Sequence, residues 1–332
     1  MIYTNKKILV IGGTGTIGQH LVRRLLQEQP TVIRVFSRDE YKQFEMQQSL
    51  RGHSNIRYLI GDVRDVGRLI RAMEDIDYVF HLAAMKHVPA CEYNPFEAVQ
   101  TNVIGTQNVI QAALQSGVSK VLFTSSDKAV SPINTYGATK LMAERLISAA
   151  GHQKGSKATV FASVRFGNVM GSRGSVIPLF RDQIRETGRI TVTDLEMTRY
   201  MMTPNQAVEL LVEANKISVG GEIFVLKMPV VQLKDLIQIM VNHYAKPSAV
   251  EIVPIGLRPG EKMNEQLMTQ DEFSIVLETE YMFIIPPIYG KQDYNQYLSK
   301  DGSLLSGIIR YNHNEIIDFD RLRDWLITEN LI

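Results

Sequence analysis

A run of apolar residues that breaks into a glycine-spaced turn constrains the fold of this chain more than any other feature. Residues 8–11 are followed by Gly12, Gly15 and Gly18, and an amphipathic stretch continues over residues 16–28. A strand, a tight turn and a helix in this order direct backbone N–H groups at the helix start toward a pyrophosphate. The first expectation is therefore an α/β fold that binds a dinucleotide.

Strand and helix patterns alternate through the first half of the chain. Nearly continuous apolar, often β-branched runs predict parallel strands covered on both faces, at residues 7–11, 32–37, 56–60, 78–82, 120–124 and 159–165. Amphipathic stretches between them predict helices, most clearly at residues 16–28, 98–115 and 136–150. With right-handed crossovers these elements form a doubly wound parallel sheet of the Rossmann type, whose ligands sit beyond the carboxyl ends of the strands.

The alternation weakens after residue 165, where a glycine-rich polar loop follows. Helices are expected near residues 204–216 and 233–244, and a strand near residues 222–226 can join the sheet. We therefore predict an NADP-binding Rossmann domain over residues 1–168, with that added strand, and a smaller, mainly substrate-binding C-terminal lobe over residues 169–332.

Composition excludes several classes of partner. The 332 residues are 45% apolar and carry a formal net charge of +1, which gives no reason to expect nucleic acid or a membrane surface. The single cysteine, Cys91, fits a reducing cytoplasm. No apolar run reaches the length of a membrane span, and a strand begins near the N-terminus, so we expect a cytoplasmic protein without a signal peptide. No cluster has metal-ligand spacing, so no metal is expected.

The residues after the second strand bear on the choice between NAD and NADP. An acidic residue there hydrogen-bonds the ribose 2′-hydroxyl, whereas an arginine suits a 2′-phosphate. Ser37 and Arg38 occupy this place, while Asp39 and Glu40 can instead begin the next helix. We therefore expect NADP. Asp62, after the third strand, can hold the adenine edge or equally cap a helix.

Tyr136-Gly-Ala-Thr-Lys140 places a phenol and an ammonium group one helical turn apart on the same face. A free tyrosine has a pKa near 10, which is too high for a base at neutral pH. A neighbouring ammonium group and a positive nicotinamide ring favour the phenolate and lower that pKa. The pair therefore predicts a tyrosine base that takes a hydroxyl proton while hydride leaves the same carbon.

The loop that follows the fifth strand carries Asp127-Lys128. A carboxylic acid and an amine at the carboxyl edge of a strand form a potential acid/base pair. A neutral lysine can remove a proton next to a carbonyl, and a protonated aspartate can donate to a departing hydroxyl. The alternative is an exposed turn with a weak ion pair. Beside the tyrosine and lysine of the preceding motif, we interpret the pair as catalytic.

At these residues the chain resembles the extended short-chain dehydrogenase/reductases. More narrowly, it resembles the inverting UDP-N-acetylglucosamine 4,6-dehydratases of pseudaminic acid and related bacterial surface-polysaccharide pathways. The resemblance runs from about residue 5 to about residue 270, and its segments are residues 37–40, 83–89, 125–129, 165–176 and 258–262. Its most specific element is Asp127-Lys128, because the non-inverting sugar dehydratases carry Asp-Glu there.

The resemblance implies a reaction cycle. Tyr136 takes the 4-hydroxyl proton as NADP⁺ receives hydride from C-4, and the resulting ketone acidifies the C-5 proton, which Lys128 removes. Asp127 assists loss of the 6-hydroxyl as water. Hydride then returns to C-6, and protonation of C-5 on the opposite face inverts that centre. The implied product is UDP-2-acetamido-2,6-dideoxy-β-L-arabino-hex-4-ulose, and the regenerated NADP is expected to stay tightly bound.

The resemblance also places a serine, here Ser126, near the 4-hydroxyl. With the residues named above, the expected cofactor contacts are Gly12, Thr14, Gly15, Thr16, Ile17, Gly18, Ser37, Arg38, Asp62, Val63, Leu82, Ala83, Lys86, Tyr136 and Lys140. The expected substrate contacts are Lys86, Thr101, Asn102, Asn168, Arg173, Val176, Asp194, Arg258 and Glu261. Arg173 suits the diphosphate, whereas Asn168 can alternatively only shape its loop. The implied partner is a UDP-N-acetylhexosamine, and a homo-oligomer between dimer and hexamer is expected.

Other functions share part of this pattern. A nucleotide-sugar 4-epimerase, with or without a reductase activity, would use the same cofactor residues and Tyr136, but it needs no base at C-5. A dehydratase that releases the 5,6-ene would use Asp127-Lys128 and stop earlier. A non-catalytic NADP sensor is a different class, and such a protein usually lacks the tyrosine or the lysine that this chain retains.

Overall fold

The structure, a computed structural model, describes residues 2–245, 249–287 and 315–332. The strands in these ranges are β1 Lys7–Ile11, β2 Val32–Ser37, β3 Ile56–Ile60, β4 Tyr78–His81, β5 Lys120–Ser126, β6 Val160–Phe166, β7 Asn168–Val169, β8 Arg189–Val192, β9 Thr198–Met202, β10 Ile223–Leu226, β11 Val230–Gln232, β12 Glu251–Pro254, β13 Leu277–Glu278 and β14 Met282–Ile285. The α-helices are α1 Thr16–Leu26, α2 Glu40–Ser49, α3 Val66–Met73, α4 Val88–Tyr93, α5 Pro95–Ala98, α6 Gly105–Ser116, α7 Thr135–Gln153, α8 Val176–Thr187, α9 Pro204–Ile217, α10 Leu233–Tyr244, α11 Gln270–Ile275 and α12 Phe319–Thr328.

The principal sheet has the strand order β13-β14-β10-β6-β5-β4-β1-β2-β3. The strands from β10 to β3 run parallel, whereas β13 and β14 are antiparallel additions. The order reverses between β1 and β4, the place where a doubly wound sheet opens a crevice at its carboxyl edge. The predicted α/β doubly wound sheet is confirmed.

The predicted elements agree closely with the observed ones. The strand predicted near residues 222–226 is β10, which pairs in parallel with β6. The helix predicted over residues 98–115 is divided, because the backbone forms a π-helical turn at Val99–Ile104 before α6 begins. Such π turns widen a helix locally and occur frequently at functional sites. The short strands β13 and β14 were not predicted.

Apolar side chains cover both faces of the principal sheet and form two clusters, one centred on β1, β6 and α9 and the other on α3, α6 and α7. A third cluster joins α8, α10 and α12 in the C-terminal part of the chain. The division into domains at residue 168 stays a prediction. Residues 246–248 and 288–314 of the predicted second lobe lie outside the described residues.

None of the helices in residues 2–245, 249–287 and 315–332 has the length and apolar character that crossing a membrane requires.

Candidate active site

A cleft of about 880 Å³ opens at the carboxyl edge of the sheet, where the strand order reverses. Its walls come from the glycine turn after β1, the ends of β2 to β6, and the glycine-rich loop before α8. Arg258 and Glu261 close it at the far end. Every expected site residue except Asn102, Asp127 and Asp194 lines this cleft.

The glycine turn is shaped by two close backbone approaches. Gly12 has a φ of +80°, and a Cβ atom there would lie 2.8 Å from the Ala83 backbone nitrogen at the end of β4. A Cβ atom on Gly18 would lie 2.5 Å from the Gly13 Cα atom. Since backbone atoms leave no room in either place, glycine is required for the turn to approach β4 and for α1 to pack against the turn.

The start of α1 has no side-chain cap, and neither do the starts of α4 and α8 at the same cleft. The side chains of Asp39, Asp65 and Asn134 cap α2, α3 and α7 by accepting backbone N–H bonds. The N-cap of α1 is Gly15, which has no side chain to do so. The N–H groups in the first turn of a helix have no partner within the helix, so those of α1 are available to a ligand. This uncapped start fits the pyrophosphate of a dinucleotide cofactor.

One end of the cleft lies beside β2 and β3. The Ser37 hydroxyl is 2.9 Å from the Thr14 hydroxyl, and the Arg38 side chain is 64% exposed. Asp62 is not a helix cap, since Asp65 has that role. Burial tends to raise the pKa of Asp62, but hydrogen bonds from Arg64 outweigh it and lower the pKa.

The phenol and the ammonium group of the Tyr136 motif face the cleft from α7. Burial raises the pKa of Tyr136, and the Asp127 charge raises it further, while a hydrogen bond with Ser126 opposes them. Burial lowers the pKa of Lys140 to about 7, and its Nζ donates to the Thr124 carbonyl oxygen. Burial therefore disfavours charge on both side chains, and a phenolate favoured by Lys140 together with the nicotinamide stays a prediction.

Asp127 and Lys128 form an ion pair just inside the cleft wall. The Lys128 Nζ donates to Asp127 Oδ1 at 3.0 Å and to Asn168 Oδ1 at 3.1 Å. The Asp127 carboxylate is fully buried, and Ser126 donates to the same Oδ1 at 2.9 Å. Its Oδ2 has no hydrogen-bond partner among the described residues. Asp127 therefore reaches the cleft through Ser126 and Lys128, a correction to the direct contact expected from the sequence.

The loop before α8 contacts Lys86 and the start of α1. The Lys86 Nζ donates to the Arg173 carbonyl oxygen at 3.1 Å, and the Arg173 N–H donates to the Thr16 hydroxyl. Burial and the Arg173 charge lower the pKa of Lys86. The Arg173 backbone thus lies against the start of α1, and the Lys86 and Arg173 side chains line the cleft, where cations suit phosphate oxygens. Val176 and Thr101 complete this part of the wall.

Two expected substrate contacts do not line the cleft. Asn102 is buried under its wall, where the side-chain amide pairs with both the N–H and the carbonyl of Met85 and donates to Thr139. Asp194 accepts the Glu196 N–H in a turn. Both residues therefore support neighbouring backbone, and the substrate contacts that the resemblance implied for them stay predictions.

Sequence reasoning missed Arg199, which lines the cleft near Arg258 and is only 6% exposed. Its guanidinium donates to the Thr198 and Met263 carbonyl oxygens and lies 3.8 Å from Glu261 Oε1. The available signal was an arginine inside the largely apolar strand β9, because a charged group is rarely buried without a partner.

A buried cluster of ion pairs behind the cleft was also not predicted from the sequence. Arg165, on β6, is buried and forms ion pairs with Glu144 on α7 and Glu272 on α11. Burial tends to lower the pKa of this guanidinium, but the two carboxylates raise it overall. Arg165 therefore ties α7, the helix of the tyrosine motif, to α11.

A glycine turn before α1 and a Tyr-x-x-x-Lys helix, both on a parallel sheet with this strand order, define an extended short-chain dehydrogenase/reductase. The family model for polysaccharide biosynthesis proteins matches residues 8–287, and the chain belongs to this family. A dTDP-glucose 4,6-dehydratase from Streptomyces venezuelae, solved with NAD and TYD bound, shares the fold at a TM-score of 0.72 and 23% identity, covering 80% of this chain and 89% of its own.

Proteins with higher sequence identity to this chain have several different names. A solved structure described as Pen from Bacillus thuringiensis is 54% identical, with a TM-score of 0.92 and full coverage of both chains. A Methanocaldococcus jannaschii protein described as an uncharacterized membrane protein is 50% identical, covering 92% of this chain and 93% of its own. A Campylobacter jejuni inverting UDP-N-acetylglucosamine 4,6-dehydratase is 43% identical, covering 86% and 84%. A Rickettsia rickettsii UDP-glucose 4-epimerase is 36% identical, covering 98% and 97%.

Proposed function

We propose that this enzyme is an NADP-dependent UDP-N-acetylglucosamine 4,6-dehydratase that inverts C-5. The observation that carries the proposal is the ion pair between the Lys128 Nζ and Asp127 Oδ1 at 3.0 Å, placed at the cleft beside Tyr136. A proton acceptor and a proton donor side by side suit removal of the C-5 proton and loss of the 6-hydroxyl. The printed name of the Campylobacter relative supports the choice of sugar and nucleotide.

The cofactor proposal rests on the end of β2. Asp39, the nearest carboxylate along the chain, caps α2 by accepting the Lys42 N–H, and it also pairs with the Lys42 ammonium group. Arg38 is exposed beside the cleft, where its guanidinium suits a 2′-phosphate. When bound, the nicotinamide supplies a reversible hydride acceptor and, when oxidised, a positive charge. The amides at the start of α1 would hold its pyrophosphate.

Ser126 and Tyr136 would handle the 4-hydroxyl proton. Both line the cleft, and a hydrogen bond between them favours the phenolate against the larger effect of burial. Lys140 would orient the cofactor ribose, which its position one turn along α7 permits. Its pKa of about 7 lets the amine gain or lose a proton near neutral pH.

The Asp127–Lys128 pair would carry the elimination. Transfer of one proton from the Lys128 ammonium to the Asp127 carboxylate converts the ion pair into a neutral amine and a carboxylic acid. The amine then takes the C-5 proton, and the acid, through Ser126, protonates the departing 6-hydroxyl, which leaves as water. The C-5–H electrons form the 5,6-double bond, the C-6–O bond breaks, and the ion pair is restored.

A 4-epimerase is the second candidate, because the Rickettsia relative bears that name and aligns along nearly the whole chain. Such an enzyme oxidises and reduces C-4 and leaves C-5 and C-6 unchanged. A dehydratase that releases the 5,6-ene is the third candidate, since the residues of the elimination step are the same. The three differ in what happens to C-5 and C-6.

Proton NMR of the purified protein with UDP-N-acetylglucosamine in D₂O, without added cofactor, tests the proposal. We expect a new C-6 methyl signal, deuterium at C-5 and the L-arabino coupling pattern. Accumulation of the 5,6-ene supports the released intermediate, and UDP-N-acetylgalactosamine without deuterium supports the epimerase. Nucleotide extracted from the same protein should be NADP, and NAD would contradict the cofactor proposal.

A matched pair of lysine variants assigns the elimination. Lys128→Met removes the base and should slow C-5 deuterium exchange by about 10²- to 10⁴-fold while the bound nucleotide is retained. Lys216→Met removes an exposed lysine on α9, whose partner is Glu213, and should leave the exchange rate unchanged. Equal exchange rates in the two variants would exclude Lys128 as the base.

A further inference from the structure

A buried carboxylate lies behind the Asp127–Lys128 pair, and nothing described above uses it. Glu265, between β12 and α11, has a side chain that is only 4% exposed and does not line the cleft. Its Oε1 is 3.7 Å from the Lys128 Nζ, and its Oε2 is 3.8 Å from the Lys262 Nζ. Within the described part of the chain, Oε2 accepts no hydrogen bond. The carboxylate is thus held between two ammonium groups without being satisfied by either.

The groups within 4 Å of the Lys128 amine come from three parts of the chain. Asp127 precedes it, Asn168 contributes an amide oxygen from β7, and Glu265 approaches from the segment before α11. Tyr136 on α7 lines the same cleft. Two carboxylates and one amide oxygen therefore surround a single amine.

The second cation in this corner is Lys262. Its Nζ donates to the Val130 carbonyl oxygen at 2.8 Å, immediately after the turn that carries Lys128, and it shares the Glu265 carboxylate. The Lys262 side chain is 17% exposed, similar to the 20% of Lys128. The two lysines therefore compete for one buried negative charge.

The negative charge of Glu265 acts on the charge state of the Lys128 amine. A negative charge within 4 Å of an amine, in a region with little water, favours the ammonium form. A base that takes a proton from carbon must first lose its own proton, so Glu265 opposes activation of Lys128. Lys262 weakens this opposition, because it draws on the same carboxylate and repels a second positive charge.

We propose that Glu265 is a positioning residue that, together with Lys262, sets the pH at which Lys128 becomes a neutral base. The carboxylate holds the amine as an ammonium ion next to Asp127, and Lys262 limits how strongly it does so. The claim that the opposing effects of Glu265 and Lys262 control proton removal at C-5 rests on the proposed function. The charge state of the Lys128 amine does not rest on it.

Competitive acetylation measures that charge state directly. Only a neutral amine reacts with acetic anhydride, and Lys128 is accessible from the cleft, so its peptide is quantified by mass spectrometry across a pH series. Glu265→Gln should lower the pH of half-maximal Lys128 labelling by about one unit, because the ammonium form loses a partner. Lys262→Met should raise it, because the carboxylate then acts on Lys128 alone. The double variant should fall between them.

Controls separate charge from structural damage. Glu265→Asp keeps the charge and should stay close to wild type, and the Lys216 peptide in each sample serves as the internal reference. Shifts of the same sign in Glu265→Gln and Lys262→Met, or no shift in either, would overturn the inference. If Glu265→Gln does not fold, the direction of the Lys262→Met shift decides alone.

The same variants connect the inference to the reaction. In D₂O, the low-pH limb of C-5 deuterium exchange should move in the same directions as the labelling midpoints. If labelling shifts as expected but wild type exchanges no deuterium, the proposed function fails and the charge balance stands. If wild type exchanges deuterium and the labelling midpoints do not move, only the role of Glu265 fails.

Discussion

The two halves of the cleft are built in different ways. The half proposed to hold the cofactor, called the cofactor half below, is built around backbone, namely a glycine turn and an uncapped helix start that are contiguous in sequence. The half proposed to hold the sugar, called the sugar half below, is built around charged and polar side chains from separate segments, with Lys128, Asn168 and Glu265 spread over more than 130 residues. The first half is specified by the shape of the local chain, and the second by the balance of charges between distant parts.

The two halves are therefore sensitive to different kinds of substitution. A site built from backbone tolerates changes of side-chain charge but not of side-chain volume. Its hydrogen-bond donors are fixed N–H groups, and its glycine residues lie close to neighbouring backbone atoms. A charged site tolerates small changes of volume but not the loss of one partner, since an unpaired buried charge is costly. Substitutions that remove either property should therefore damage one half and spare the other.

The largest effect is expected on the side of the sugar half, at Arg165. Arg165→Met leaves the carboxylates of Glu144 and Glu272 without their common partner, so we expect the free energy of unfolding to fall by about 3–5 kcal/mol. Chemical denaturation of the purified variant measures it. Arg165→Lys keeps one charge and should lose less, and a Met variant as stable as wild type would show that the ion pairs do not hold these segments together.

The next effect is expected in the cofactor half, at Gly18. In Gly18→Ala the new Cβ atom would meet the Gly13 Cα at 2.5 Å and the Gly12 carbonyl oxygen at 2.6 Å, so α1 must shift. We expect a loss of about 1–3 kcal/mol in stability and loss of the co-purifying nucleotide. Gly52→Ala is the matched control, because nothing lies within 4 Å of its Cβ position. Retained nucleotide in Gly18→Ala would contradict a backbone-built site.

The smallest effect is a pH dependence at His81, the fully buried last residue of β4. Burial and the Lys140 charge lower the pKa of His81 to about 3 from its ordinary value of 6.5. The unfolded chain therefore binds this proton first, and stability is lost as the pH falls from about 6.5 toward 3. Between pH 7 and pH 5 we expect wild type to lose about 1–2 kcal/mol more than His81→Asn. Parallel pH profiles would exclude this contribution.

Most of the sheet was predictable from sequence because its strands are continuous apolar runs that need burial on both faces. The predicted bounds of the first six strands differ from the observed ones by at most two residues. The antiparallel strands β13 and β14 were missed, since their pairing depends on the neighbouring edge strand β10 rather than on a pattern of their own. The π-helical turn before α6 was missed for a similar reason, because helical periodicity alone does not reveal one extra residue in a turn.

The candidate site divides in the same way. The places of Gly12, Tyr136 and Lys128 along the cleft were predictable, because short motifs beside strand ends share one edge of a parallel sheet. The burial of Asn102 was not, since an amide that supports the backbone has the same sequence signature as one that contacts a ligand. The roles proposed for these residues remain predictions that the experiments above test.

The sequence alone is enough to predict the doubly wound sheet, the glycine turn and the pairing of tyrosine with lysine on one helix. These features depend on residues close together in the chain, where periodicity and backbone sterics act directly. Only the tertiary structure decided that Asp127 is fully buried, that burial raises the pKa of Tyr136, and that Glu265 lies between two lysines. Solvent exclusion and charge proximity are properties of the folded interior, and segments far apart in the chain create them together.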